Sequence, residues 1–455
     1  MSRKKSRLVA LAIDAPNNDL LESWIENNHL PNMRRLFLEG RHRRLVHRKH
    51  YRNETCWTTF GTAAVNERTG FHFSPSSYEF EYDSIETPAA KAFYSLGDER
   101  TICTFDLPLP FAAEVNGIQV VGWASELSAS VAKSEPPDVM GEIRSQFGDD
   151  PKLEGIAPVF DVRTGSSYRS FPLPSMYDTP ALLRLSTRLV KSALTRGSIC
   201  NWLLHKQSWD LFLGCFPETH TANHLLWHLG HEHPSSSVDF ERGRSPLLDV
   251  TQAVDAAIGR IRAQLSPEQT LAVFTIDHTA HNVMDVPSMA LLPELLFRWC
   301  FDGAAALGSC DESAPLEPPS RKFKAHWKHE TWALATELGR RELISPATLD
   351  ANGDKLSWNP ASWYRLCWPR MRAFALPGVS DGYIRLNVKG RESKGLVDPE
   401  AFGATLDSLV RLMESVKNPR TGNPLVKKVI RIRERPDECP EIGRASCRER
   451  VCMLV

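Results

Sequence analysis

The sequence lacks a long hydrophobic run, a net charge and any closely paired cysteines. No apolar stretch in the 455 residues approaches the roughly 20 residues of a membrane-spanning helix, so we expect no membrane span. The apolar stretch behind MSRKKSR is too short for a signal-peptide core, and we therefore expect a cytoplasmic protein. The 55 basic and 55 acidic residues balance, which excludes a global field that recruits nucleic acid or a membrane surface.

The ten cysteines are scattered along the chain without a Cys-x-x-Cys pair. This pattern favours reduced thiols over a disulfide framework, and it offers no structural zinc knot. The length is sufficient for a large hydrophobic core. We expect one α/β domain over residues 1–440, with insertions near 71–99 and 305–365 that cover or border a site.

Apolar runs of strand type alternate with amphipathic helical segments along the chain. A single helix is predicted over 19–40, and two more helices are predicted at about 180–206 and 245–265. Strands are predicted at RLVALAI, TICTFDL, GIQVVGWA, WDLFLGCF and TLAVFTI. This alternation is typical of an α/β fold with a doubly wound, largely parallel central sheet and helices on both faces.

Histidines are concentrated in the stretch FPETHTANHLLWHLGHEH, which holds five of the fifteen in the chain. On a helix His220, His224 and His228 recur at i, i+4 and i+8, so the three imidazoles would share one face. A single histidine is more often an ordinary structural residue than a ligand. This group, however, directly follows the strand-like run SWDLFLGCF, and open α/β sheets place their sites where strands end.

Acidic residues and a further histidine follow two other predicted strands. Asp14 comes after LVALAI, and Asp277 and His278 come after TLAVFTI. An Asp in this position is frequently only a helix cap. Together with the His-x3-His pair, these residues nevertheless supply five oxygen and nitrogen ligands, which are enough to anchor two divalent ions.

With these residues the chain resembles the type I phosphodiesterase and nucleotide pyrophosphatase family of the alkaline phosphatase superfamily. The resemblance runs over nearly the whole chain, through LVALAIDAPNNDLLESWIENNHLPNMRRLFLEG, NETCWTTFGTA, ETHTANHLLWH, DHTAHN and SDGYIRLNVKGRESKGLV. It implies an alkaline phosphatase-like fold and a site for two divalent metal ions, usually zinc, with manganese as an alternative. It also implies that a Thr or Ser hydroxyl attacks a phosphoester and becomes phosphorylated.

The resemblance assigns the metal ligands residue by residue. Asp14, Asp277 and His278 would hold the ion that activates the nucleophile. His220 and His224 would hold the second ion. The family commonly has Asp where His220 stands, so the second site is less anionic in this chain.

The nucleophile departs from the family pattern. Alignment on the NETCWTTFGTA segment puts Asn53 where the attacking Thr usually lies, which leaves Asn53 as a substrate-binding candidate. Thr55 is the nearest hydroxyl, at the start of the following helix, where N–H groups favour a phosphate; its alternative role is an N-cap. Cys56 lacks the Cys-x-Pro-x-Arg context of a sulfatase cysteine and is interpreted as a buried thiol.

Two basic residues in the NVKGRE segment are further substrate-binding candidates. Lys389 and Arg391 could contact a phosphoester oxygen, because Arg presents a planar fork of donors and Lys a point charge. The alternative is a solvated hairpin turn that contacts no ligand.

The sequence therefore predicts a metal-dependent hydrolase of small phosphoesters, with phosphodiesters as the first choice. One alternative is a sulfatase or a phospho-group transferase or mutase of the same superfamily. The other is a non-catalytic metal-binding relic, which Asn53 in the nucleophile position suggests.

The end of the chain breaks the family pattern. After VRLMESVKNPRTGNPLVKKVIRIRERP the sequence closes with EIGRASCRERVCMLV, which resembles the read-through of a cloning adapter. We expect a native chain truncated near Pro440 and a non-native, poorly packed tail over 441–455. No histidine follows His329, so the third protein ligand that the family brings to the second metal is expected to be absent.

Overall fold

The computed structural model describes most of the chain, in segments separated by gaps. These segments are residues 7–44, 56–62, 72–81, 91–124, 132–157, 159–161, 166–168, 174–231, 245–279, 286–307, 332, 342–352, 354, 356–378 and 382–437. Asn53, Thr55 and the predicted tail over 441–455 lie outside the described residues.

The described strands form one large sheet and three short antiparallel pairs. In chain order they are β1 (Arg7–Ile13), β2 (His72–Phe73), β3 (Phe80–Glu81), β4 (Gly97–Phe105), β5 (Val115–Val121), β6 (Lys133–Glu135), β7 (Val159–Asp161), β8 (Ser166–Tyr168), β9 (Leu211–Phe216), β10 (Gln269–Phe274), β11 (Ala373–Leu376) and β12 (Tyr383–Leu386). The pairs are β2 with β3, β7 with β8, and β11 with β12.

The central sheet has the strand order β10-β1-β9-β4-β5-β6. Strand β1 runs parallel to both β10 and β9, and β4 runs parallel to both β9 and β5. Among the described strands of this sheet, only the edge strand β6 is antiparallel, to β5. The prediction of a mixed α/β fold with a largely parallel central sheet is therefore confirmed, and each predicted strand overlaps a strand of this sheet.

Helices surround the sheet. They are α1 (Asn18–Glu26), α2 (Pro31–Glu39), α3 (Cys56–Thr62), α4 (Asp138–Phe147), α5 (Thr179–Lys206), α6 (Glu218–Leu226), α7 (Pro246–Gln264) and α8 (Val286–Cys300), with three further helices at Pro346–Ala351, Pro360–Trp363 and Phe402–Ser415. Among the described residues, no helix combines the length and the apolar composition that crossing a membrane requires.

Alternate residues of the buried strands pack into two different clusters. In β1, Val9 and Leu11 belong to a core that includes residues of α1, α2, α5 and α7. Ala10 and Ala12 point to the opposite face and join a second core with Trp57 of α3. Successive side chains of a strand point to opposite faces, so both faces of the sheet are covered by protein.

The single helix predicted over 19–40 is wrong, because the structure divides it into α1 and α2. The break holds Asn28 at a φ of 61° and ends at Pro31, the first residue of α2. Proline lacks a backbone N–H and disfavours helical geometry in the residue before it. Asn tolerates a positive φ better than most residues, so the sequence NNHLP ends one helix and starts another.

The two segments predicted as insertions contribute to a separate hydrophobic cluster. Phe73 from the first segment and Trp363 from the second belong to it, together with Trp368 and Phe374. The rings of Trp368 and Phe374 stack with their centroids 4.8 Å apart. Each of these segments therefore contributes buried residues to a hydrophobic core.

Candidate active site at the carboxyl edge of the sheet

Three neighbouring parallel strands bring the predicted site residues to one edge. Asp14 follows the last residue of β1, Asp277 comes three residues after β10, and His220 lies in the first turn of α6, just after β9. Strand β1 lies between β10 and β9 in the sheet. Because parallel neighbours end at the same edge, residues more than 200 positions apart in sequence meet there.

Asp14 is the centre of this edge. It is 2% exposed, and its Oδ2 lies 2.9 Å from Nδ1 of His220. Its other oxygen, Oδ1, accepts a hydrogen bond of 2.9 Å from the indole Nε1 of Trp57. Burial alone would raise the pKa of Asp14, but the charge and hydrogen bond of His220 and the Trp57 hydrogen bond outweigh it and lower that pKa. Asp14 is therefore an anion that only accepts hydrogen bonds.

His220 and His224 form a close imidazole pair on one face of α6. Their Nε2 atoms lie 2.9 Å apart, and their ring centroids are separated by 4.7 Å. Although His224 as a residue is exposed, desolvation and the neighbouring His220 lower its pKa to about 4. Two nitrogen lone pairs at this distance repel each other unless a proton or a metal ion lies between them.

Asp277 completes the edge on the other side of Asp14. Its Oδ1 accepts a hydrogen bond of 3.1 Å from the backbone N–H of Ala15, and its carboxyl group interacts electrostatically with that of Asp14. Burial, and after it the negative charge of Asp14, raise the pKa of Asp277 to about 6. Of these two neighbouring carboxyl groups, Asp277 therefore takes up a proton more readily than Asp14.

The loop between β1 and α1 is fixed to the segment after β10. The Thr279 hydroxyl donates to the Ala15 carbonyl at 2.7 Å, and the Asn17 side chain donates to the Thr279 carbonyl at 2.8 Å. Ala15 has a φ of 42°, a left-handed conformation that is uncommon for a residue with a Cβ. The strained backbone turns the Ala15 N–H towards Asp277.

The prediction that three histidines share one helical face holds for two of them and is wrong for His228. Helix α6 ends at Leu226, and His228 lies in a following 3₁₀ turn, where its ring is buried. Its Nε2 lies 2.8 Å from the carbonyl oxygen of Met176. A 3₁₀ turn has three residues per turn instead of 3.6, so the i+8 position leaves the face that carries His220 and His224. His278 follows Asp277 directly and is exposed.

The two basic candidates of the NVKGRE segment are engaged in ion pairs of their own. Lys389 Nζ lies 2.7 Å from a carboxylate oxygen of Asp398, and both side chains are exposed. Arg391 Nε lies 2.9 Å from Oε1 of Glu392. The structure therefore pairs both basic side chains with carboxylates, those of Asp398 and Glu392.

A buried ionic network beneath α6 was not anticipated from the sequence. Arg196 of α5 is fully buried, and its Nε donates to Oε1 of Glu218, the first residue of α6, at 2.8 Å. Its Nη1 lies 3.1 Å from Oδ2 of Asp106, the residue after β4. Burial would lower the pKa of Arg196, but the Glu218 and Asp106 charges raise it. The position of Asp106 directly after the strand TICTF was the one available signal.

The residue types at the edge suit a divalent cation, although the ligand set is incomplete. No group of three or more His, Cys, Asp or Glu side chains among the described residues is arranged to hold a metal ion. Tetrahedral zinc with bonds of about 2.0 to 2.1 Å separates two ligand nitrogens by about 3.3 Å, close to the 2.9 Å between the Nε2 atoms of His220 and His224. A cation would also compensate the adjacent carboxyl groups of Asp14 and Asp277.

No protein-family model matches the chain, and no curated protein matches it significantly. The side chains of the carboxyl edge are therefore the basis for a functional assignment.

Proposed function

We propose that this protein is a metal-dependent hydrolase of small phosphoesters, with phosphodiesters as its substrates. The observation that carries the proposal is the meeting of Asp14, Asp277, His220 and His224 at the carboxyl ends of three adjacent parallel strands. Carboxylate and imidazole are the ligand types that zinc binds in catalytic sites. The alkaline phosphatase-like arrangement, which the sequence motifs suggest, is part of the proposal.

Two ions would be held by the residues at this edge. Asp14, Asp277 and His278 would bind one, and His220 with His224 would bind the other. Asp14 and Asp277 can do so while hydrogen bonded, because each carboxylate oxygen carries two lone pairs. When bound, the ions supply positive charge that stabilises a developing phosphoryl anion and lowers the pKa of a nucleophilic hydroxyl.

The protein's own residues prepare this edge for a cation. Asp14 is held as an anion, and His224 is neutral at neutral pH because its pKa is lowered to about 4. A neutral imidazole offers a lone pair, as ligation requires. The overall charge of the chain is zero, so the local charge of bound ions is what would attract an anionic phosphoester.

Thr55 is the proposed nucleophile, and Asn53 would contact the substrate. Trp57, two residues beyond Thr55 in sequence, is described and bonds to Asp14. That contact supports a role for the NETCWTTFGTA segment in the site. Lys389 and Arg391 have less support as substrate ligands, because Asp398 and Glu392 already compensate their charges.

A substrate panel tests the proposal. The protein, stripped of metal and then loaded with zinc or manganese, is assayed with bis-p-nitrophenyl phosphate, p-nitrophenyl phosphate and p-nitrophenyl sulfate. We expect metal-dependent hydrolysis of the diester above all, loss of turnover in Thr55→Ala with metal content unchanged, and recovery in Thr55→Ser. Faster cleavage of the sulfate would identify a sulfatase, and no cleavage of any substrate by metal-loaded protein would identify a relic.

A further inference from the structure

Trp57 makes a polar contact to the site. Its side chain is buried, with the residue 8% exposed, and its indole Nε1 lies 2.9 Å from Oδ1 of Asp14. Indole N–H is only a donor, so the direction of this hydrogen bond is fixed. The two residues lie on different elements, β1 and α3, and 43 positions apart. The contact therefore depends on how α3 packs on the sheet.

The hydrogen bond leaves the Asp14 carboxylate with one orientation. With Oδ1 held by Trp57, Oδ2 faces Nδ1 of His220. The terminal torsion of an Asp side chain is broad and has no sharp preference of its own. A partner on each oxygen is therefore what fixes the plane of the carboxylate.

The orientation of Asp14 determines which nitrogen of His220 carries a proton. A carboxylate can only accept, so Nδ1 of His220 must be the donor across 2.9 Å. The other ring nitrogen, Nε2, then presents its lone pair when the ring is neutral. It is this Nε2 that faces His224, the position where a shared ligand would bind. Hydrogen bonds on the far nitrogen set the tautomer of ligating histidines in this way.

We propose that Trp57 is a positioning residue, which orients the Asp14 carboxylate and thereby fixes His220 in the tautomer with its proton on Nδ1 and its lone pair towards His224. The tautomer follows from the contacts alone. The consequence for metal affinity rests on the proposed function.

Trp57 also makes an apolar packing contact, so the test must separate the effect of its N–H from the effect of its ring. Its ring meets Phe60 edge to face, with centroids 5.8 Å apart. Trp57→Phe keeps an aromatic ring in this contact and removes the N–H. Trp209→Phe is a matched control, because Trp209 is 4% exposed and its indole Nε1 donates to the carbonyl of Leu203 at 2.8 Å, away from the carboxyl edge.

The test combines nitrogen NMR of ¹⁵N-histidine-labelled, metal-free protein with zinc titration. At a pH where the His220 ring is neutral, the wild type and Trp209→Phe should show His220 protonated on Nδ1 only. Trp57→Phe should show a mixture of both tautomers, and its zinc affinity should fall about 10- to 100-fold, as when other outer partners of metal ligands are removed. Trp209→Phe should bind zinc like the wild type.

Each outcome decides the inference. A single Nδ1–H tautomer retained in Trp57→Phe would overturn it. A wild-type His220 protonated on Nε2 would also overturn it, and that measurement does not depend on whether any variant folds. A tautomer change in Trp57→Phe together with a wild type that binds no zinc would uphold the positioning role and contradict the proposed function.

Discussion

Oδ2 of Asp14 and Nδ1 of His220 lie 2.9 Å apart, although 206 residues separate them in sequence. The contact exists because β1 and β9 are parallel neighbours, with Ile13 paired to Phe216 at the end of the register. The residue after β1 and the first turn of α6 therefore meet at one level. The sheet topology, more than any local motif, assembles the candidate site.

The imidazole pair should bind the second zinc ion. His224→Ala removes one of two nitrogens that face each other across 2.9 Å, so we expect zinc affinity to fall by more than about tenfold. His205→Ala is the control, because this exposed histidine lies in α5, where its Nδ1 is 2.6 Å from the backbone oxygen of Asn201. Competition with a chromophoric chelator measures the zinc affinity of each variant. Equal zinc affinity in the two variants would exclude the pair as ligands.

The pKa of Asp277 should depend on Asp14. Burial and then the Asp14 charge raise this pKa from 3.8 to about 6, so Asp14→Asn should bring it below 6 while burial keeps it above 3.8. Carbon NMR of the Asp277 carboxyl in metal-free protein measures the change. Asp255→Asn is the control, since Asp255 bonds to Asn32 and Met33, and it should leave the pKa of Asp277 unchanged.

The raised pKa of Asp277 also makes the free energy of unfolding depend on pH. The folded-state pKa of Asp277 lies above 3.8, the ordinary value for an Asp side chain. The folded protein therefore binds a proton at Asp277 more tightly than the unfolded chain does. The contribution of Asp277 to the free energy of unfolding is therefore fully present below about pH 4 and is lost as the pH rises through about 6. Metal-free Asp277→Asn should lack this part of the pH dependence; an unchanged profile would contradict the shift.

The buried network under α6 should contribute strongly to the stability of the fold. Arg196→Met leaves Asp106 and Glu218 as buried, unpaired acids, and we expect it to lower the free energy of unfolding by about 3 to 5 kcal/mol. Arg262→Met removes a partly exposed ion pair with Glu39, and we expect a loss below about 1 kcal/mol. Urea unfolding compares the two. Similar losses would mean that the network contributes little.

Two glycines in helices should respond oppositely to alanine. A Cβ at Gly197 of α5 would lie 2.7 Å from the Cβ of Ala257 in α7, so Gly197→Ala should destabilise the protein by about 1 to 3 kcal/mol. A Cβ at Gly141 of α4 would meet nothing within 4 Å, and Gly141→Ala should stabilise it by about 0.5 to 1 kcal/mol. Thermal unfolding shows whether each substitution stabilises or destabilises the protein. A neutral Gly197→Ala would contradict the close approach of α5 and α7.

The sequence predicted the sheet and its edge because those features follow from local patterns. Apolar runs mark the buried strands, and polar residues after them mark the carboxyl ends, which is how Asp14, Asp277 and His220 were identified. Pro31 marks the break between α1 and α2, because proline disfavours helical geometry in the residue before it.

The remaining features depend on contacts that no local pattern specifies. Trp57 reads as an ordinary core aromatic until its indole is seen at Asp14. Arg196 reads as a polar residue of a long helix, yet it is fully buried between Asp106 and Glu218. The end of α6 before His228 is set by the tight turn that follows. Tertiary packing decides each of these positions.

Anomalous X-ray diffraction at the zinc edge, on crystals grown with zinc, tests the central claim most directly. We expect one anomalous peak bonded to Nε2 of both His220 and His224, at the roughly 2.0 to 2.1 Å of zinc–nitrogen bonds, and a second peak at Asp14, Asp277 and His278. Zinc bound elsewhere, with no peak at the carboxyl edge of the sheet, would contradict it.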